Sequence, residues 1–395
     1  MRNYITFLDL GLQPLANNYL KKSQLNKKEK KYRLKIGFNP KTKLVSINKP
    51  ISSKEMFNDK YPYRSSMSKT MLKSFQDLSK LINKKFKPDK ILEIGSNDGS
   101  FIKNFSKKKA IGIEPCSNVE KITKKNGFNT YSKYWNLKTA KQILTKEGKV
   151  DLIYSANTIS HIENLDEVFK SMNIILSKNG IIIIEDPSLL ECLKKNTYDQ
   201  FYNEHIYVFS LLGIDNILRK HNFEVFHVQN LEIHGGSNRY FIKKKNNLRK
   251  INLSVKNQKK KEISYGVHQL STYKKFSKRV KYSKERLKKI LNKLYAKNKK
   301  IIGYGVTAKS TTILNYCKIN KNIIKYFIDT TKDKQNKYTP GTKIPIYKYL
   351  GSIDKDIDYA FLGAWNFKNE IFKKEKKFLN RGGKFIIHTP IPKIL

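Results

Sequence analysis

With 395 residues, 39% of them hydrophobic and 12% aromatic, the chain is long enough for two or three domains with real cores and is no disordered polymer. A formal charge of +49 would ordinarily suggest nucleic acid, but only nine of the 81 basic residues are arginine, the residue favoured for phosphate and base recognition, and lysines are scattered through every segment. The charge therefore reads as a bias of solvated faces, while Cys116, Cys192 and Cys317 without metal-ligand spacing, and apolar runs no longer than Ile181 to Ile184, predict a reduced cytoplasmic protein without signal peptide or membrane span.

Residues 1–70 carry short elements, with Leu8 to Asn17 a strand or turn followed by a lysine-rich stretch, and read as a small appended lobe. Over 71–245 helix and strand alternate: a helix near 67–84, a strand at 90–94, a helix, a strand ending at Glu114, a helix, a strand at 150–155, a helix and a strand at 181–185. That order predicts a Rossmann-like α/β domain, a parallel sheet with helices on both faces. From Lys243 to Lys261 large apolar residues are few and lysines many, as in a solvated connector. Val267, Leu270, Phe276, Val280, Leu287, Leu291 and Leu294 then keep to one helical face, so 246–299 reads as a basic connector and a long amphipathic helix. Over 300–395 a strand, the turn Gly303-Tyr304-Gly305, a helix from Ala308, a strand ending at Asp329 and a last strand at Phe385 to Ile387 predict a second, smaller Rossmann-like α/β domain.

The strand pattern Ile91-Leu92-Glu93-Ile94 runs into Gly95-Ser96-Asn97-Asp98-Gly99 and is expected to continue as an amphipathic helix. Gly95 and Gly99 flank a turn at the carboxyl end of that strand, where a doubly wound sheet places its ligands, and permit close backbone approach. The loop lacks both Gly-Lys-Ser/Thr and the full Gly-x-Gly-x-x-Gly pattern. Glu114, nineteen residues after Gly95, suits the two hydroxyls of an adenosine ribose. Glu93, an acid in an apolar strand, needs a partner such as a ligand ammonium or backbone amides. Either acid alone is equally an element cap; spaced together around one glycine loop they point to S-adenosylmethionine rather than NAD. Asn97, Asp98 and Asn157 would line the same crevice.

Residues 198–210 bring Tyr202, Glu204 and His205 together, which suggests base chemistry beside a bound cofactor. Taken in order, Leu8 to Asn17, Glu93 to Gly99, Gly112-Ile113-Glu114-Pro115, Tyr202-Asn203-Glu204-His205, His234-Gly235-Gly236-Ser237, Gly303 to Lys309 and Tyr338 to Thr342 resemble the S-adenosylmethionine-dependent C-methyltransferases that act on nucleotide-linked keto-deoxysugars. The resemblance implies a nucleoside-diphosphate keto-sugar methylated beside its ketone. An sp³ carbon has no lone pair to attack a sulfonium methyl, so a base must first make an enolate. His205, with an ordinary pKa near neutrality, suits that role. Glu204 would orient or polarise the site and Tyr202 would donate to the enolate oxygen. The same resemblance places His161 near both ligands, and His234, Gly235, Ser237 and Lys309 at the sugar nucleotide. His221, His227 and His388 read as structural.

Members of that family usually open with a zinc lobe of two Cys-x-x-Cys pairs. Here Asn39-Pro40-Lys41-Thr42 stand where the second pair would fall, and residues 1–100 contain no cysteine or histidine, so a degenerate lobe without metal is expected. Two other readings stay open: an NAD-dependent oxidoreductase built on Gly303-x-Gly305-x-x-Ala308 with Asp329, and a non-catalytic nucleic-acid-binding protein. The sugar, its nucleotide base and the oligomeric state are not legible.

Overall fold

The computed structural model describes residues 3–395. Its first strands, β1 (Ile5–Pro14), β2 (Lys31–Phe38) and β3 (Val45–Ile47), form an antiparallel sheet. Two register shifts bend β1, the second at Gly11 (φ 76°), where Asp9 turns its carboxylate to the Gly11 N–H and the Arg33 guanidinium.

The second sheet begins with β4 (Ile91–Ile94), β5 (Ala110–Ile113), β6 (Asn129–Tyr131), β7 (Val150–Ala156) and β8 (Leu176–Pro187). After β9 (Tyr207–Val208), which leaves this sheet to pair with β3, it is completed by β10 (Phe223–Leu231) and β11 (Ser237–Lys244). The order is β10-β11-β8-β7-β4-β5-β6, with β11 antiparallel to both neighbours and β8, β7, β4, β5 and β6 paired in parallel. Continuous apolar runs such as Ile181 to Ile184 are buried on both faces, as in covered parallel strands. Chain progression reverses beside β4, so the carboxyl end of β4 lies at the switch point of the sheet. Helices on its faces start where Ser68, Asn136, Asn164 and Ser210 each accept a backbone N–H of the first turn.

The third sheet holds β12 (Ile301–Tyr304), β13 (Phe327–Asp329), β14 (Lys337–Tyr338), β15 (Pro345–Lys348), β16 (Tyr359–Leu362), β17 (Lys384–Ile387) and β18 (Lys393–Ile394), in the order β14-β15-β13-β12-β16-β17-β18. Its five central strands are parallel and its edges antiparallel, a second α/β sheet.

Three expectations are corrected. The amino-terminal lobe is not appended: Phe7, Ile36 and Phe38 share one core with Tyr273 and Phe276 of the long helix Leu270–Ala296 and with Val306 and Ile313 beyond it, Phe38 stacking on Tyr273 at 4.4 Å. The connector is not solvated throughout. Leu253–Tyr265 is a helix, hidden from an apolar pattern because two of its three buried side chains are Gln258 and Glu262. And no α-helix follows the Gly95–Gly99 loop: before β5 begins at Ala110 the chain forms only a short turn at Ile102–Asn104. Among the described residues no helix is long and apolar enough to cross a membrane.

Candidate active site

A cavity of about 1080 Å³ opens at the carboxyl end of β4 and runs to the first turn of the third sheet. At the β4 end Glu93 is buried, with Oε2 lacking any hydrogen-bond partner, and burial pushes its carboxyl well above the ordinary range, helped by the nearby Asp98 and Glu114. Gly95 (φ 74°) packs so closely on Thr158 that any Cβ would overlap that side chain. Glu114 accepts from the Asn97 N–H at 2.9 Å and the Cys116 N–H at 2.8 Å, one bond on each oxygen, which leaves lone pairs for further donors. Asn97 and Asn157, both at positive φ, also line the cavity. Asp98 and Gly99 stand off it: Asp98 accepts from the Ser66 N–H and the Ser100 hydroxyl, tying the loop to residues 63–66, and Gly99 packs on Thr123. An orphaned buried carboxyl oxygen beside Gly95, which has no side chain to fill the space, fits a ligand carrying an ammonium group and hydroxyls, as S-adenosylmethionine does.

On the opposite wall the turn Tyr198–Gln200 delivers the chain toward β9. His205 is buried; its Nδ1 lies 2.8 Å from the Gln200 carbonyl and its Nε2 2.6 Å from the Tyr202 hydroxyl. A carbonyl only accepts, so the partners assign the proton to Nδ1 and leave Nε2 as an acceptor for Tyr202. Burial, then the proximity of His161 and Lys309, holds the imidazole well below its ordinary pKa, hence neutral. His161 stacks between His205 (5.2 Å) and Phe57 (5.3 Å), and burial drives its pKa to about 3. Glu204 accepts from Asn17 Nδ2 at 2.7 Å and from the Tyr61 hydroxyl at 3.0 Å, and burial pushes its carboxyl up to about 7.

His234, at φ 53°, lines the cavity and offers its carbonyl to Gln200 Nε2 (2.6 Å) and Lys309 Nζ (3.1 Å). Burial drives the His234 imidazole to about 3 and brings the Lys309 ammonium down to about 8. Gly235 and Ser237 do not line the cavity; Gly235 lies against the Trp365 ring and Ser237 donates to the Ile233 carbonyl. At the second glycine turn Asp329 accepts from the Val306 and Thr331 N–H groups, both at 2.8 Å.

Sequence reasoning missed Asn17, Tyr61, Tyr63 and Gln200, all on the cavity wall. Asn17 closes the first motif of the resemblance and was legible as a motif, though not as the partner of Glu204. Nothing in the local pattern of residues 57–66 signals that this segment covers the Gly95–Gly99 loop, where Ser65 donates to Asn97 Oδ1 and Asn97 donates to the Tyr63 carbonyl.

Three family models match the chain in succession: a putative zinc binding domain over 2–57, a methyltransferase domain over 63–228 and a C-methyltransferase C-terminal domain over 232–392. The C-methyltransferase NovU of Streptomyces niveus is 27% identical over 398 residues, spanning 100% of this chain and 94% of that protein. Among solved structures, a possible histamine N-methyltransferase from Thermotoga maritima matches 44% of this chain and 88% of its own, at TM-score 0.34 and 20% identity. A magnesium protoporphyrin IX methyltransferase from Synechocystis matches 43% of this chain and 82% of its own, at TM-score 0.34 and 12% identity. The first model is named for zinc, yet residues 1–100 supply no thiol or imidazole, and no cluster of three potential ligands exists among the described residues. The residues do not fit that metal. The methyltransferase-domain match, the full-length similarity and the cavity at the switch point agree: the chain is a methyltransferase with a class I Rossmann-like fold and S-adenosylmethionine as its cofactor.

Proposed function

We propose that the chain methylates the carbon beside the ketone of a nucleoside-diphosphate keto-deoxysugar, in deoxysugar or surface-polysaccharide biosynthesis, with His205 as the general base. The observation that carries this reading is a neutral imidazole whose acceptor nitrogen is chosen by the Gln200 carbonyl and faces the Tyr202 hydroxyl. O- or N-methylation starts from a lone pair; a buried base paired with a hydroxyl donor is what carbon methylation needs in addition.

Bound S-adenosylmethionine supplies an electrophilic methyl, and Glu93, Gly95, Asn97, Glu114 and Asn157 would hold it. Tyr202 turns its hydroxyl from His205 Nε2 to the ketone oxygen, which frees the Nε2 lone pair for the α-proton. The same hydroxyl then stabilises the enolate. His161, kept neutral, adds no positive charge that would weaken His205 as a base. Glu204 holds Asn17 and Tyr61 across the cavity. Lys309, protonated at neutral pH, lies at the end lined by the third sheet, where a diphosphate would gain from it. Incubation with S-adenosylmethionine and a set of nucleoside-diphosphate keto-sugars, with the product's methyl located by carbon NMR, tests the reading. A new carbon–carbon bond beside the ketone is expected; a methyl on oxygen or nitrogen would contradict it.

A further inference from the structure

The catalytic turn is fastened from outside the methyltransferase sheet. Asp199, fully buried between Tyr198 and Gln200, accepts from Trp365 Nε1 at 2.6 Å, and His388 Nε2 lies 3.2 Å from the same oxygen. Burial pushes the Asp199 carboxyl up, but His388, Lys309 and Trp365 outweigh it and keep it below its ordinary value. A carboxylate buried in its ionised form persists only where its partners are held in place. Trp365 also carries the second support of the turn: Gly235 lies against its ring, Lys309 Nζ sits 5.3 Å over its face, and Lys309 with Gln200 Nε2 shares the His234 carbonyl. Tyr198 packs edge-on against Tyr316 of the helix Ala308–Tyr316. Three consecutive residues are thus seated against the third sheet and its helices, and the third of them presents the carbonyl that holds His205 Nδ1.

From this we infer that Trp365 and Asp199 are a positioning pair through which the C-terminal domain selects the tautomer of His205. The Trp365 N–H holds Asp199, Asp199 holds the turn, and the Gln200 carbonyl of that turn keeps the proton on Nδ1. With the carbonyl displaced, nothing reserves Nδ1 as the donor. Tyr202 can then accept from a protonated Nε2, and the base loses its lone pair. The turnover part of the inference rests on His205 being the base; the tautomer part does not.

Nitrogen NMR of histidine-labelled, ligand-free protein tests it, with His205→Asn identifying the His205 signals. Wild type is expected to show His205 as a single neutral Nδ1–H tautomer at neutral pH. Trp365→Phe, which keeps an aromatic ring under Lys309, is expected to show mixed tautomers and a turnover lower by roughly 10- to 100-fold, the scale of a small misplacement at a reacting centre. Binding of the demethylated cofactor should stay unchanged, since its site lies across the cavity. Asp199→Asn should act in the same direction, and if its buried amide prevents folding, Trp365→Phe decides alone. A single Nδ1–H tautomer retained in folded Trp365→Phe overturns the inference, as does a wild-type His205 protonated at Nε2. If the wild type methylates no keto-sugar, the functional reading fails while the tautomer comparison still decides this one.

Discussion

At His205 the nitrogen proposed to react is left as an acceptor by the Gln200 carbonyl on the other side of the ring, which makes the proposed role separable from the residue's packing. His205→Asn should leave cofactor binding intact and lower turnover by roughly 10²- to 10⁴-fold, the usual share of acid–base catalysis, as steady-state kinetics would measure. Glu204 makes a different, thermodynamic prediction. Its carboxyl rises from 4.5 to about 7 on folding, so between those values the folded state binds more protons than the unfolded chain and stability falls as pH rises. Above pH 7 Glu204→Gln should therefore be more stable than wild type by on the order of 1–3 kcal/mol, a gain that vanishes below the unfolded pKa. Urea melts at acid and mildly alkaline pH check this; a difference that does not change with pH would contradict it. The histidine, its Tyr202 neighbour and the acids Glu93 and Glu114 were legible as residues because each breaks the pattern around it. The bonds that define them were not: Asn17 and Glu204 stand 187 positions apart, and no local pattern records such a pair.

Elements built from continuous apolar runs were the legible ones. Strands β4, β7 and β8 and the helix Leu270–Ala296 bury their side chains in the manner their spacing foretells. The helix Leu253–Tyr265, most of which falls in the Lys243 to Lys261 connector, escapes the apolar pattern because its contact with the rest of the fold is polar. Glu262 accepts from the Leu211 and Leu212 N–H groups, each at 2.9 Å, and Gln258 donates to the same carboxylate. It thereby caps the helix Leu211–Lys220 from another segment. Glu262→Ala should strip partners from two amides, one of them buried, and cost about 1–3 kcal/mol in urea unfolding. An unchanged midpoint would mean that water replaces the carboxylate without loss. The short turn Ile102–Asn104 shows the opposite error: a glycine loop after a strand suggests an α-helix where the chain makes only one short turn before β5.

Across the whole molecule the cavity is walled by three segments that lie far apart in sequence: Asn17 and Tyr61 before the methyltransferase sheet, His205 and Glu93 within it, and Lys309 beyond the long helix. The amino-terminal strands join that construction through β9 and through the core they share with Tyr273 and Phe276, with no thiol or imidazole among them. Elemental analysis should accordingly find no stoichiometric zinc, and a chelator should leave the melting temperature unchanged. A zinc content near one per chain would contradict the packing account of this lobe.

If the chain creates a carbon nucleophile before any methyl moves, hydrogen exchange at that carbon proceeds without methyl transfer. In deuterated water, with a nucleoside-diphosphate keto-sugar and the demethylated cofactor bound, wild type should wash deuterium into the carbon beside the ketone, whereas His205→Asn should not. Absence of exchange in the wild type under conditions where methylation proceeds, or equal exchange in both proteins, would contradict the assignment of His205 as the base.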